Sequence, residues 1–222
     1  MQARDMNFSI VVPTKNEEKT ISKLLKALRR LYRNAEIVIV DASNDKTFNI
    51  AKGIALKDKK ITLTKGEGYL SWDILNGIKI AKYDYVVVID ADFQHPINKI
   101  KDVVKKLDKC NIVICSGNRN VFPLKRKIIA YVAKMLANIS LLFNKRKMCK
   151  DPMTGFFGLR KGILKNIDER RIVKEGWKIL FDIIKQADFD YCYVNFHFKN
   201  RKVGFSKLRI EHVLYTIKSF LT

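Results

Sequence analysis

The chain has 222 residues, 47% of them hydrophobic, with 44 Lys or Arg against 22 Asp or Glu for a formal net charge of +22. That length and apolar content suffice for one packed domain and exclude a disordered chain. Four cysteines without Cys-x-x-Cys spacing exclude a disulfide scaffold and a thiolate zinc site. So one-sided a charge calls for an anionic partner or surface.

Residues 8–12 form an apolar run that reads as a buried parallel strand and ends in Pro13-Thr14-Lys15-Asn16-Glu17. A helix near 17–33 follows, with Ile21, Leu24, Leu25, Leu28, Leu31 and Tyr32 at helical spacing. The next strand, near 36–40, runs through Val40 into Asp41 and a helix near 46–57. A third, near 61–64, leads into Lys65-Gly66-Glu67-Gly68 and a helix near 69–82. The fourth, near 85–89, stops in Asp90-Ala91-Asp92-Phe93-Gln94-His95-Pro96, and a helix near 97–108 and a strand near 112–116 complete the series. This βα alternation predicts a mostly parallel α/β sheet covered by helices on both faces, in one domain without repeats. Ligands in such sheets bind beyond the carboxyl ends of the strands. Two carboxylates there are hard oxygen ligands suited to Mg2+ or Mn2+ carrying a diphosphate, although each acid alone also reads as a helix cap.

After residue 117 the pattern changes. Residues 121–150 contain eight Lys or Arg and no acid, and within them 128–143 carry only Lys134 as a charge. A helix of that length spans about 24 Å, short of the ~30 Å hydrocarbon core. With Lys125, Arg126 and Lys127 before it and Lys145, Arg146 and Lys147 after it, it fits either an interfacial helix on acidic headgroups or a core helix with solvated basic ends. A loop at Asp151, a helix around 161–187 and a strand near 191–198 follow. A second basic cluster (Lys199, Arg201, Lys202, Lys207, Arg209) then precedes a helix with an Ile210, Val213, Leu214, Ile217 and Leu221 stripe. Residues 1–7 are too polar for a signal peptide, which with the cysteine pattern predicts a cytoplasmic chain whose cysteines are simply buried.

In order along the chain stand Val11-Val12-Pro13-Thr14-Lys15-Asn16-Glu17, Ile39-Val40-Asp41, Lys65-Gly66-Glu67-Gly68, Asp90-Ala91-Asp92-Phe93-Gln94-His95-Pro96, Ser116-Gly117-Asn118-Arg119, Asp151-Pro152-Met153-Thr154-Gly155-Phe156 and Arg201-Lys202-Val203-Gly204-Phe205-Ser206-Lys207. This series resembles the inverting glycosyltransferases of the GT-A type, and among them the polyprenyl-phosphate sugar synthases typified by dolichyl-phosphate mannose synthase. The resemblance implies the GT-A fold, with a nucleotide-sugar half at about 8–117 and an acceptor and membrane-facing half at about 118–222. It implies hexose transfer, mannose from GDP-mannose first and glucose from UDP-glucose second, to a polyprenyl or dolichyl phosphate at the cytoplasmic face of a membrane. By the same resemblance Pro13, Lys15, Glu17, Val40, Asp41, Asp90, Ala91 and Asp92 would line the donor site, and Asp92 with Gln94 would hold Mg2+ or Mn2+. Arg119, Arg126, Arg201 and Lys207 would grip the acceptor phosphate, and Asp92, Asp151 and Arg119 would act in transfer. Lys15 stands where an aromatic residue is frequent, Ala42 where a second Asp is, Phe157 where an Arg is, and Glu67 inside the Gly-x-Gly loop. A separate anchoring subunit would suit a chain without its own membrane span. Two alternatives remain: a sugar or protein hydroxyl acceptor with Asp151 as general base, and a nucleic-acid-binding protein, for which no recognised motif is present.

Overall fold

In the computed structural model, residues 7–118, 122–174, 176 and 178–198 are described, the side chains of residues 125 and 126 excepted. The apolar runs become β1 (Ser9–Thr14), β2 (Glu36–Asp41), β3 (Ile61–Lys65), β4 (Tyr85–Val88) and β5 (Ile112–Asn118), followed by β6 (Phe157–Arg160) and β7 (Tyr191–His197). They form one sheet in the order β3-β2-β1-β4-β6-β5-β7. Every pairing is parallel except the two made by β6, which runs antiparallel between β4 and β5. The registers Thr14↔Asp41 and Asp41↔Lys65 bring the ends of the first three strands to one level, and Ile89 N–H donates to Val11 O just past β4.

The helices are α1 (Ile21–Leu31), α2 (Thr47–Ala55), α3 (Leu70–Ile80), α4 (Ile100–Leu107), α5 (Leu124–Phe143) and α6 (Ile179–Ile184). Because successive side chains of a strand point to opposite faces, Ile10 and Val12 pack with Leu24, Leu28 and Val104 on one side of the sheet. Val11 faces the other way, packing with Leu75, Ile78 and Leu180. Both faces are therefore buried, which is why the strands read as continuous apolar runs.

Three expectations are corrected. The helix expected around 161–187 is two short 3-10 turns, Lys161–Asn166 and Glu169–Arg171, and then the six residues of α6. Asp168 caps the second turn by accepting the Arg170 N–H at 3.1 Å, which ends the preceding segment locally. The antiparallel β6 was not anticipated at all. Third, Cys110 and Cys192 are not simply buried thiols: they are joined as a disulfide, with Cα atoms 6.0 Å apart and 82 residues between them in sequence. The β5–β7 register, which sets Cys192 beside Val113, makes a pair that no local spacing rule would find. Cys115 and Cys149 are free and buried, and desolvation pushes both thiols up, Cys149 to about 12.

Candidate active site

The first part of the site lies at the ends of β1, β2 and β3. Asp41 is 3% exposed, and its Oδ1 accepts both the Thr14 hydroxyl and, at 2.6 Å, the Ser43 hydroxyl. The Ser43 hydroxyl in turn accepts the Asn16 N–H at 2.7 Å, and Asn16 Oδ1 accepts the Asn44 N–H at 3.0 Å. Asn16 holds a positive φ of 56°, which Asn tolerates better than most residues. Glu17, half-buried, donates its N–H to the Thr47 hydroxyl at 2.8 Å and accepts the Thr20 hydroxyl on its carboxylate. Pro13, Val40 and Ala91 are buried.

The β3–α3 loop lies against this group, with the Gly66 N–H donating to Asp41 O at 2.8 Å. Asp73, in the first turn of α3, accepts the Glu67 N–H at 2.7 Å and the Gly68 N–H at 3.1 Å. Its carboxylate lies so close beneath Gly66 that a Cβ there would meet it at 2.8 Å, and Gly68 takes φ +90°. Lys15, exposed at the end of β1, reaches over the loop, since a Cβ on Gly68 would lie 3.6 Å from its Nζ. Burial raises the Asp73 carboxyl above its ordinary range against the lowering pull of the two amides and of Lys15.

The second part lies beyond β4. Asp92 is 6% exposed and its Oδ1 accepts the Gln94 N–H at 3.0 Å; the turn between them passes through Phe93, whose φ of 60° is costly for an aromatic residue. The Asp90 side chain is 42% exposed, with Oδ2 3.6 Å from His95 Nδ1. A Cβ added at Gly155 would stand 3.2 Å from the same oxygen, so the loop before β6 passes directly against Asp90. Asp151 in that loop is 1% exposed. Among the described residues no three or more His, Cys, Asp or Glu side chains gather to hold a metal by themselves. A Mg2+ or Mn2+ ion arriving on a diphosphate uses one or two carboxylates, and the oxygen-only set of Asp90, Asp92 and Gln94 fits that demand.

The third part is α5, which is built with its apolar side outward. Ile128, Ile129, Tyr131, Met135, Ile139 and Leu142 are each at least 41% exposed, whereas Asn138 is 5% exposed. Asn138 accepts the Cys149 N–H at 2.8 Å and donates to Cys149 O at 3.2 Å, tying the helix to the segment that leads into Asp151. No helix among the described residues is long and apolar enough to cross a membrane. Arg146 faces the protein, donating to Lys185 O at 3.2 Å and Gln186 O at 3.0 Å. Arg119, Arg201, Lys207, the Arg126 side chain and the helix expected at 210–221 lie outside the described residues.

Reasoning from sequence did not find Thr14 and Ser43 as holders of Asp41, nor Asp73. The only signal for Asp73 was an acid in the first turn of a helix, a position too common to single out. Carboxylate-bearing ends of parallel strands beside a glycine loop, with one antiparallel strand let into the sheet, define a GT-A type fold. Solved structures with this fold include glucosyl-3-phosphoglycerate synthase from Mycobacterium tuberculosis, in complex with Mn2+ and UDP-glucose, 16% identical with a TM-score of 0.67 over 99% of this chain and 82% of that one. Mannosyl-3-phosphoglycerate synthase from Rubrobacter xylanophilus is 16% identical, with a TM-score of 0.65 over 97% and 72%.

The chain belongs to glycosyl transferase family 2, whose sequence profile matches residues 9–168. Dolichol-phosphate mannosyltransferase of Pyrococcus furiosus is 35% identical over 92% of this chain, which spans 60% of that protein's length. The Saccharomyces cerevisiae protein of the same name is 27% identical over 81% of this chain and 70% of its own.

Proposed function

We propose that the chain transfers a hexose, mannose before glucose, from a nucleoside diphosphate sugar to a polyprenyl phosphate at a membrane surface, with inversion at the anomeric carbon and in the presence of Mg2+ or Mn2+. The observation that carries this reading is the buried Asp92 beside the exposed Asp90 at the end of β4, on the sheet edge that also holds Asp41. Relatives named dolichol-phosphate mannosyltransferase support the sugar and acceptor, and the Mn2+ complexes of glucosyl-3-phosphoglycerate synthase support the cation. Asp41, fixed through Oδ1 and with Oδ2 accepting the Ser43 N–H at 3.3 Å, would use the remaining acceptor capacity of Oδ2 for a ribose hydroxyl or base N–H, with Pro13, Glu17, Val40 and Ala91 as walls. Lys15 faces the diphosphate or base from above the glycine loop.

Asp90, Asp92 and Gln94 would hold the cation, which when bound neutralises charge on the departing diphosphate. A phosphomonoester acceptor is largely dianionic at neutral pH, with a second pKa near 6, and attacks without a strong base. It needs placing by cations, the role assigned to Arg119, Arg126, Arg201 and Lys207. Asp151, 1% exposed, has little access to a hydroxyl acceptor, which favours the phosphate. The outward apolar side of α5 fits a lipid surface, with or without a separate anchoring subunit.

Screening GDP-mannose and UDP-glucose against a short polyprenyl phosphate, with product detected by mass, tests the whole reading. A glycosylated lipid phosphate is expected. Faster transfer to a soluble sugar than to the lipid phosphate would instead establish the hydroxyl-acceptor reaction.

A further inference from the structure

We infer that His95 is a positioning residue for the cation-binding carboxylates, a role that rests on the metal reading of Asp90 and Asp92 given above. The imidazole is almost wholly buried, with 4% of its side chain exposed, and closes the Asp90–His95 turn from within: its Nδ1 accepts the Asp90 N–H at 3.4 Å and lies 3.6 Å from Asp90 Oδ2. Asp92 closes the same turn from the other side by accepting the Gln94 N–H. Between them these two contacts set the backbone path that carries Phe93 through its positive φ. Remove the first, and the turn can relax toward ordinary backbone angles, swinging Asp90 relative to Asp92.

The ring is itself held on several sides. It stacks on Phe156 at 5.3 Å with 29° between planes, meets Phe196 of β7 edge-on at 5.8 Å and 87°, and lies 5.7 Å from Phe198. Phe156 follows Gly155, whose lack of a Cβ admits the Asp90 carboxylate. Asp90 thus has the imidazole on one side and the Gly155 backbone on another, and the aromatic group behind the imidazole includes Phe122 and, as the last residue described, Phe198. Residues 199 onward, which carry Arg201 and Lys207, follow directly in sequence. Such packing limits where the Asp90 carboxylate can go, the kind of support a cation-binding residue would need from its neighbours.

The test separates the nitrogen from the ring. His95→Phe keeps an aromatic of similar size and removes the acceptor; His95→Asn keeps an acceptor near the Nδ1 position and gives up the ring. Mn2+ binding in the presence of GDP or UDP is followed by loss of the free Mn2+ paramagnetic resonance signal, alongside Tm and the kinetic constants. His95→Phe is expected to bind Mn2+ at least tenfold more weakly and to lose at least tenfold in kcat, with acceptor KM unchanged and Tm within a few degrees. His95→Asn is expected to recover Mn2+ affinity to within about threefold of wild type, even with a lower Tm. Wild-type Mn2+ affinity in His95→Phe overturns the inference, as does an equal loss in His95→Asn. Should His95→Phe fail to fold, the Asn variant alone decides by the same Mn2+ criterion. A wild-type chain that binds no Mn2+ with either nucleotide overturns the metal reading beneath it.

Discussion

Single carboxylates at this site differ in what already holds them, and that difference predicts how each responds to substitution. Asp92 is buried with one oxygen engaged by the Gln94 N–H, so Asp92→Asn keeps shape and that contact while removing the charge a cation needs. We expect turnover to fall by at least a hundredfold with Tm within about 2 °C of wild type; wild-type turnover would refute the metal assignment. Asp73 is different, because both its oxygens accept loop amides. An Asn there satisfies only one of them, leaving the other N–H facing an amide NH2, at a cost of about 1–3 kcal/mol and a looser loop under Lys15. Since burial raises the Asp73 pKa in the folded chain, this group contributes stability that is present at low pH and lost as pH rises through its raised value. The Tm deficit of Asp73→Asn should therefore be larger at pH 4 than at pH 7, and a deficit that shrinks on acidification would contradict the sign. Asp92 was legible in the sequence because two acids at the end of an apolar run are conspicuous. Asp73 was not, since an acid in a helix's first turn is common and its hold on Glu67 and Gly68 depends on the loop's path, and Thr14 meets Asp41 only because the fold pairs β1 with β2.

Elements divide along a similar line. Those of the first 118 residues were legible to within a few residues, because β1, β2 and β4 carry apolar residues on both faces and α1 and α4 bury a clear stripe such as Leu24, Leu25 and Leu28. The segment 157–184 was not, for its four-residue strand and short turns carry too few periods to register, and the antiparallel placement of β6 depends on partners in β4 and β5 that are distant in sequence. α5 falls between. Its existence was evident from composition, but whether its apolar residues faced a core or an external surface depended on where Asn138 points, and Asn138 points inward to Cys149. The outward side then has a measurable use. Ile128, Met135 and Leu142 are 54%, 46% and 55% exposed, and burying each in lipid is worth about 1.5–3 kcal/mol at most. Changing all three to Ser should weaken sedimentation with vesicles of anionic phospholipid at least tenfold and leave Tm unchanged or raised. Unaltered vesicle binding would move the lipid surface elsewhere on the chain.

Across the whole molecule, the sheet gathers distant segments onto one edge, and β7 is an edge strand joined to the rest through β5. β7 nevertheless carries Phe196, which packs behind His95, so the docking of this strand bears on the geometry of Asp90. The Cys110–Cys192 disulfide fastens its opposite end to the residues just before β5. Strand order and this crosslink were hidden in the sequence for one reason: both are set by pairings across the sheet, whereas composition and periodicity report only neighbours along the chain. A crosslink closing a loop of 82 residues restricts the unfolded chain by about 4.5 kcal/mol in the chain-entropy account. For a domain of this size that corresponds to a Tm change on the order of 10 °C. Cys192→Ser should therefore melt on the order of 10 °C below the oxidised wild type and no longer respond to reductant, while the wild type falls toward the variant when reduced. Thiol titration of the oxidised chain after denaturation should find the two thiols of Cys115 and Cys149. Four thiols in protein never exposed to reductant, or a wild-type Tm indifferent to reduction, would show that β7 is held by its hydrogen bonds and aromatic packing alone.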